Sequence, residues 1–240
     1  MDKFFISLER TPARTERFLQ ANAHIPGLVH APGIDGSAMD VDAMRKMGLI
    51  HPECSFTRGA LGSGLTHIAL WGAVAKNERA AHIFEDDAFL CRNFDEESAS
   101  ILAQVEPDWD IVLWGNNPDT TLKFHMLPGI SPCIVTQSQD EVRKNINNFH
   151  RKMVKSAPFR LEHTFGICGY AISPKGAKLM LEKCLPLRDE VVSYDSLGGR
   201  NITTSSVDHL MNMFYAGMQA FTSFPPLCLT DNMTEKSLNT

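Results

Sequence analysis

Ala80-Ala81-His82-Ile83-Phe84-Glu85-Asp86-Asp87 passes from a short apolar run to three consecutive carboxylates in one step. An apolar run of this length bounded by charge predicts a central strand over Ala80 to Phe84. Adjacent carboxylates repel, so bunching them at a strand end is costly unless a cation or hydrogen-bond donors compensate. Mg²⁺ or Mn²⁺ compensates well, taking one or two carboxylates together with substrate phosphates and water. The two-residue period of an extended chain puts Glu85 and Asp87 on one side and Asp86 on the other. An acidic surface turn is the plainer alternative, and the position directly after a core strand favours function.

Upstream, Phe4-Phe5-Ile6-Ser7-Leu8 predicts a buried strand, and Thr11-Pro12 the start of a helix running to about Gln20. Leu28 to His30 predicts a second strand, followed by turns at Pro32-Gly33 and Asp35-Gly36. Met39 to Met47 predicts a short helix closed by Gly48, and Leu61, Leu65 and Ile68 a helix from about Gly62 to Asn77. Downstream, a helix is expected around Asp95 to Val105, strands over Asp110 to Trp114 and Cys168 to Ile172, and helices opening at Ser173-Pro174 and at Val207. Residues 116–165 lack periodicity and are expected to form long loops with one or two short elements. Strands alternating with helices predict an α/β sandwich on a largely parallel sheet, with ligands beyond the carboxyl ends of the strands. The expected organisation is one domain over residues 1–220 with a surface tail over 221–240.

The chain has 240 residues and a formal net charge of -5, which argues against a nucleic-acid partner. No run approaches the roughly 18 apolar residues of a membrane span. The short apolar start, broken at Glu9-Arg10, does not read as a signal peptide, and six scattered cysteines without a CxxC pair read as reduced thiols. A cytoplasmic location is therefore expected.

Several smaller signals have two readings each. Arg10, Arg14 and Arg17 oppose the positive end of the first helix dipole, so they are either solvated or placed there for a bound anion. Gly59, Gly62 and Gly64 before Thr66-His67 form a Gly-rich helix entry that allows close backbone approach to a ligand, but match neither a Walker loop nor a dinucleotide fingerprint. His67 alone is more often a hydrogen-bonded core histidine than a catalytic one. Asp208 is explained as a partner of its helix dipole, and could instead act as a base.

Taken in order, these segments resemble glycosyltransferase family 25, the lipooligosaccharide and procollagen galactosyltransferase group. Phe5-Ile6-Ser7-Leu8-Glu9-Arg10 with Arg14 is similar to the family's opening strand, and Ile34-Asp35-Gly36 to its Val-Asp-Gly turn. Gly62-Ser63-Gly64-Leu65-Thr66-His67 with Trp71 resembles its Gly-Cys-x-x-Ser-His segment, and Phe84-Glu85-Asp86-Asp87-Ala88 its Glu-Asp-Asp core. Gly169 to Ala177 and Val207-Asp208 resemble two later blocks. Ser7, Ser63 and Thr66 replace the family's Asn, Cys and Ser, and Ala60 stands where the family usually has Glu.

The resemblance implies a GT-A-like fold and an inverting transfer of a hexose, usually galactose, from a UDP-sugar to a glycan hydroxyl such as that of lipopolysaccharide. It also implies a divalent cation, Mn²⁺ or Mg²⁺. Carried onto this chain, Asp87 with Glu85 would hold the metal. Ser7, Leu8, Arg10 and Arg14 would line the nucleotide pocket together with Asp86. Asp35 and His67 would border the donor, and Asp208 would be the base. Residues 116–160, with His125, His150, Arg151 and Lys152, would form an acceptor-side lid. A lipid-linked acceptor would bring the protein to the inner face of a membrane. Two rivals keep the carboxylates but not the transfer: an inactive nucleotide-sugar-binding relative, and a metal-dependent phosphohydrolase or nucleotidyltransferase.

Overall fold

In the computed structural model, which describes residues 1–232, the central strands alternate their side chains between two cores. Ile83, Ile111, Leu113, Tyr170 and Ile172 face one core, and Phe84, Val112, Trp114 and Ala171 face the other. A sheet covered on both faces needs apolar residues at both phases of the strand period, which is why the runs at Ala81 and Ile111 are continuous rather than alternating.

The elements are β1 (Asp2–Ser7), α1 (Pro12–Ala21), β2 (Leu28–Pro32), α2 (Val41–Lys46), α3 (Arg58–Asn77), β3 (Ala81–Glu85), β4 (Ala88–Leu90) and α4 (Phe94–Leu102). There follow β5 (Ile111–Gly115), β6 (Thr121–Leu127), β7 (Ser131–Thr136), α5 (Gln139–Asn145), β8 (Ala157–Thr164), β9 (Gly169–Ile172) and α6 (Pro174–Cys184). The chain continues through β10 (Val191–Tyr194), β11 (Arg200–Thr203), α7 (Val207–Asn212), β12 (Ala220–Phe224) and β13 (Cys228–Thr230). Nine strands form one sheet in the order β2-β1-β3-β9-β5-β12-β8-β6-β7. Helices α3, α6 and α7 cover one face, with Trp71, Ala177 and Met211 in that core. Phe18 of α1 and Phe94 and Ile101 of α4 cover the other.

The expected α/β sandwich is present, and its sheet is mixed. Pairing is parallel at β2–β1, β1–β3 and β5–β12, and antiparallel at the other neighbours. Ser173 caps α6 as expected, accepting from the Gly176 amide at 2.9 Å. Thr11 instead turns its hydroxyl to the Leu8 carbonyl at 3.0 Å and makes no side-chain cap to α1.

Two expectations fail. Residues 116–165 are not mainly loops: β6, β7 and β8 extend the sheet, and α5 leads into a 3₁₀ turn over Ile146–Arg151. The alternation of partly exposed strands at a sheet edge is diluted there by Pro128, Gly129 and Pro132. The stretch from residue 221 is not a tail either, as far as residue 232; residues 233–240 lie outside the described residues. Strand β12 sits inside the sheet between β5 and β8, and β13 pairs with β4. Gly115 packs so closely on β13 that a Cβ there would overlap the Cys228 carbonyl.

Removing β12 leaves the facing edges of β5 and β8 without ladder partners inside the fold. A chain ended after Met218 is therefore expected to show no cooperative urea transition by circular dichroism. A sharp transition in that truncation contradicts the placement of β12.

Candidate active site

The parallel register of β1 with β3 sets Ile6 opposite Glu85, and that of β1 with β2 sets Ser7 opposite Pro32. The carboxyl ends of three neighbouring strands thus open into one cleft of about 330 Å³. Its lining includes Ser7, Leu8, Arg10, Arg14, Asp35, all three acidic residues at positions 85–87, and Asp208.

Asp86 is the most committed of the three acids. Arg14 grips it through Nε, at 2.9 and 3.0 Å from the two carboxylate oxygens, and through Nη2. Ser7 Oγ donates to Asp86 Oδ2 at 2.7 Å, and Thr15 Oγ1 donates in turn to Ser7 at 2.9 Å. Asp86 and Ser7 are buried. The polar capacity of this carboxylate is largely used inside the protein, so Asp86 fixes α1 against β3 and shapes the cleft from within.

Glu85 and Asp87 carry the unbalanced charge. Desolvation, with Asp208 and Asp86 nearby, raises the Glu85 carboxyl to about 8. Desolvation and Glu85 raise Asp87 to about 7, against a hydrogen bond from Thr230 that lowers it. That bond runs from Thr230 Oγ1 to Asp87 Oδ2 at 2.9 Å, while Asp87 Oδ1 is buried without a partner. A buried, unpartnered carboxylate oxygen beside a second raised carboxyl is a donor set that a divalent cation satisfies. Among the described residues no three His, Cys, Asp or Glu groups converge as a complete ligand shell. Mg²⁺ and Mn²⁺ do not need one, because phosphate and water complete their coordination.

His67 does not border the cleft. It is 1% exposed and stands behind Glu85, with Nε2 3.6 Å from Glu85 Oε1. Its Nδ1 meets the Tyr170 hydroxyl at 2.8 Å, and Trp71 Nε1 donates to the same hydroxyl at 2.8 Å. Because indole only donates, the Tyr170 proton is free to go to Nδ1, which leaves the His67 proton on Nε2, toward Glu85. Burial lowers His67 to about 4, so the ring is neutral.

Two glycines of α3, Gly62 and Gly64, serve close packing, while Gly59 lines the cleft. The helix starts at Arg58, four residues before the expected Gly62, with the Thr57 hydroxyl accepting from the Ala60 amide at 3.1 Å. A Cβ on Gly62 would overlap the Ile34 carbonyl, and Thr66 Oγ1 accepts from the Ile34 amide at 2.8 Å. The Ile34-Asp35-Gly36 turn is thereby pressed onto α3, and Asp35 is presented to Arg10 at 2.6 Å. Hydrogen bonds from Ser37, together with Arg10, hold the Asp35 carboxyl below its usual range.

Asp208 accepts from the Gly166 amide at 2.9 Å and from the Ser206 hydroxyl, which fixes its carboxylate at the cleft wall. Of the expected lid residues, none of His125, His150, Arg151 and Lys152 lines this cleft. His125 pairs with Glu162 at 2.9 Å on the sheet, while Arg151 and Lys152 line a separate groove beside α5. The sequence reading missed Thr230, Asp231 and Asn232, which reach the cleft from a segment read as tail; no local motif marks them.

A family model described as glycosyltransferase family 25 (LPS biosynthesis protein) matches residues 1–197. The chain belongs to glycosyltransferase family 25. The match runs through the three acids and ends before Asp208 and Thr230. No curated protein matches the chain. Among solved structures it is similar to one described as mannose-1-phosphate geranyltransferase from Thermus thermophilus. The identity is 15%, the TM-score 0.34, and 98% of this chain and 71% of that chain are covered, a likeness too weak to bear on function. Family membership makes the protein a glycosyltransferase of lipopolysaccharide biosynthesis. Among the described residues no helix is long and apolar enough to cross a membrane.

The raised carboxyls make stability depend on pH when divalent cations are chelated. Folded, Glu85 and Asp87 keep protons that the unfolded chain has already released, so their penalty grows as pH rises and is complete above about 8. His67 and His82, lowered by burial to about 4 and about 3, are neutral when folded and act mainly below this window. Between about pH 7 and 8.5 the metal-free protein is expected to lose on the order of 1 kcal/mol of unfolding free energy. Urea titrations at the two pH values measure this; Glu85→Gln should flatten the loss, and a stability that rises with pH contradicts the site electrostatics.

Proposed function

We propose that the protein is a metal-dependent, inverting glycosyltransferase on a GT-A-like fold. It would move a hexose, galactose by the family resemblance, from a UDP-sugar to a hydroxyl of a lipopolysaccharide-type glycan. The observation that carries the reading is the buried, unpartnered Oδ1 of Asp87 beside Glu85 at the mouth of an arginine-lined cleft. Asp87, with Glu85, would hold Mn²⁺ or Mg²⁺. When bound, that cation supplies charge stabilisation for the departing diphosphate. Arg10 and Arg14 border the same cleft, each paired with a carboxylate, Asp35 and Asp86, and would offer the diphosphate donors held in place before the reaction.

In the transfer itself, the acceptor oxygen forms a bond to the anomeric carbon as the bond to the UDP oxygen breaks, and the hydroxyl proton must leave. Asp208 is the proposed base, held by the Gly166 amide and Ser206 so that its carboxylate is oriented before the acceptor arrives. His67 stands behind Glu85, its Nε2 3.6 Å from Oε1 and without a hydrogen-bond partner. The acceptor is proposed to be lipid-linked and met at the inner face of a membrane.

The test is incubation with UDP-galactose, Mn²⁺ and a glycan acceptor, reading UDP release and the acceptor mass. One hexose added per UDP released is expected. UDP bound with no turnover would mark an inactive binder, and cleavage within the diphosphate would mark a phosphohydrolase or nucleotidyltransferase. Asp87→Ala should lower the metal-dependent rate by roughly 100-fold or more, and Asp208→Asn should lower kcat by about 100-fold or more with little change in UDP affinity. Full activity in either variant contradicts the role assigned to it.

A further inference from the structure

The segment over residues 228–232 lies beyond the part of the chain that the family model matches, yet it is built into the cleft. Strand β13 pairs Thr230 with Ala88, the residue that follows Asp87. Two arginines tie down the residues beyond it. Arg17 of α1 pairs with the Asp231 carboxylate, and Arg143 of α5 donates through Nε to the Asp231 carbonyl at 2.8 Å and through Nη2 to the Asn232 carbonyl at 2.5 Å.

The direction of the Thr230 hydrogen bond follows from counting protons. The Asn232 amide donates to Thr230 Oγ1 at 2.9 Å, which occupies a lone pair. The single hydroxyl proton is therefore available to Asp87 Oδ2, 2.9 Å away. With Oδ2 engaged in this way, the remaining oxygen, Oδ1, is the buried one without a partner. Thr230 is 1% exposed, so water does not compete for this contact.

We propose that the strap of residues 228–232 is part of the catalytic site, with Thr230 a positioning residue that orients Asp87 for its cation. This rests on the metal-dependent reading above. It adds that α1 and α5, through Arg17 and Arg143, help set the geometry of a metal-binding carboxylate that belongs to neither helix. Arg17, which lines the same cleft, thus also holds the strap.

The experiment uses the full chain carrying Thr230→Val, which keeps the shape and removes the proton, and Thr230→Ser, which keeps the hydroxyl. Mn²⁺ binding in the presence of UDP is read from the electron paramagnetic resonance signal of free Mn²⁺, alongside kcat, the two KM values and the melting temperature. Thr230→Val should raise the half-saturating Mn²⁺ concentration by about tenfold or more, as the loss of a hydrogen bond behind a metal ligand does. The acceptor KM should stay unchanged, and Thr230→Ser should restore binding to within about threefold. A strap that only closes the fold would lower the melting temperature and leave Mn²⁺ affinity as it was. Wild-type Mn²⁺ affinity in Thr230→Val, or equal impairment in Thr230→Ser, overturns the proposal. If the valine variant does not fold, Thr230→Cys, a weaker donor, takes its place: intermediate affinity supports the proposal and wild-type affinity overturns it. Failure of the wild-type protein to bind Mn²⁺ with UDP overturns the functional reading itself, a result distinct from these.

Discussion

Asp86 held by Arg14 is the interaction on which the rest of the cleft depends. Three consecutive carboxylates at the end of a core strand repel one another in a region where burial already disfavours charge. Arg14 neutralises the middle one with a bidentate grip and Ser7 adds a further hydrogen bond, so the pair is both matched in charge and satisfied in geometry. Breaking one partner of such a pair would leave an uncompensated charge at the root of α1, typically a loss of about 3–5 kcal/mol for a fully buried pair and less here, where Arg14 is partly exposed. With Asp86 balanced, the excess negative charge is confined to Glu85 and Asp87, the pair proposed to hold the cation.

The two remaining acids are supported from different sides. Glu85 rests against a neutral, buried His67 whose tautomer is set by Tyr170 and Trp71, side chains from β9 and α3 deep in one core. Asp87 is supported from the other end of the chain by β13. The sheet order explains how this is possible. Parallel pairing of β1 with β3 gathers Ser7, Leu8 and the three acids at one edge, and antiparallel entry of β9 brings residues before Gly169 to the same edge. The site is therefore assembled where strand ends converge, with most of its rigid contacts supplied by buried neighbours.

Much of this was legible in the sequence, for identifiable reasons. The runs at Ala81, Ile111 and Gly169 are strands buried on both faces, and continuous apolar character marks such strands well. Ser7 and Glu85 end strands, Asp86, Asp87 and Asp35 come within three residues of a strand end, and Arg14 lies in the first turn of the helix after β1, so their gathering at one edge follows from the topology rule for open sheets. What was not legible depends on tertiary contact. The Gly-rich entry to α3 suggests close approach to a ligand, and at Gly62 the close neighbour is instead the Ile34 carbonyl. His67 carries the same motif whether it faces ligand or lies behind Glu85, and only the fold decides. Strand β12 is only five residues long and directly precedes two consecutive prolines, and nothing local distinguishes it from a surface tail; its place is fixed by β5 and β8. Thr230 has no signal at all in its neighbours along the chain.

The central claim is that Asp87, left with one unsatisfied oxygen, holds a divalent cation that in turn engages a diphosphate at the arginine side of the cleft. Crystals grown with Mn²⁺ and UDP, measured for anomalous scattering from manganese, test it directly. An anomalous peak within bonding distance of an Asp87 carboxylate oxygen and a UDP phosphate oxygen, with the diphosphate toward Arg10 and Arg14, is the predicted result. UDP bound in the cleft with no manganese at Asp87, or manganese bound only at another place, contradicts it.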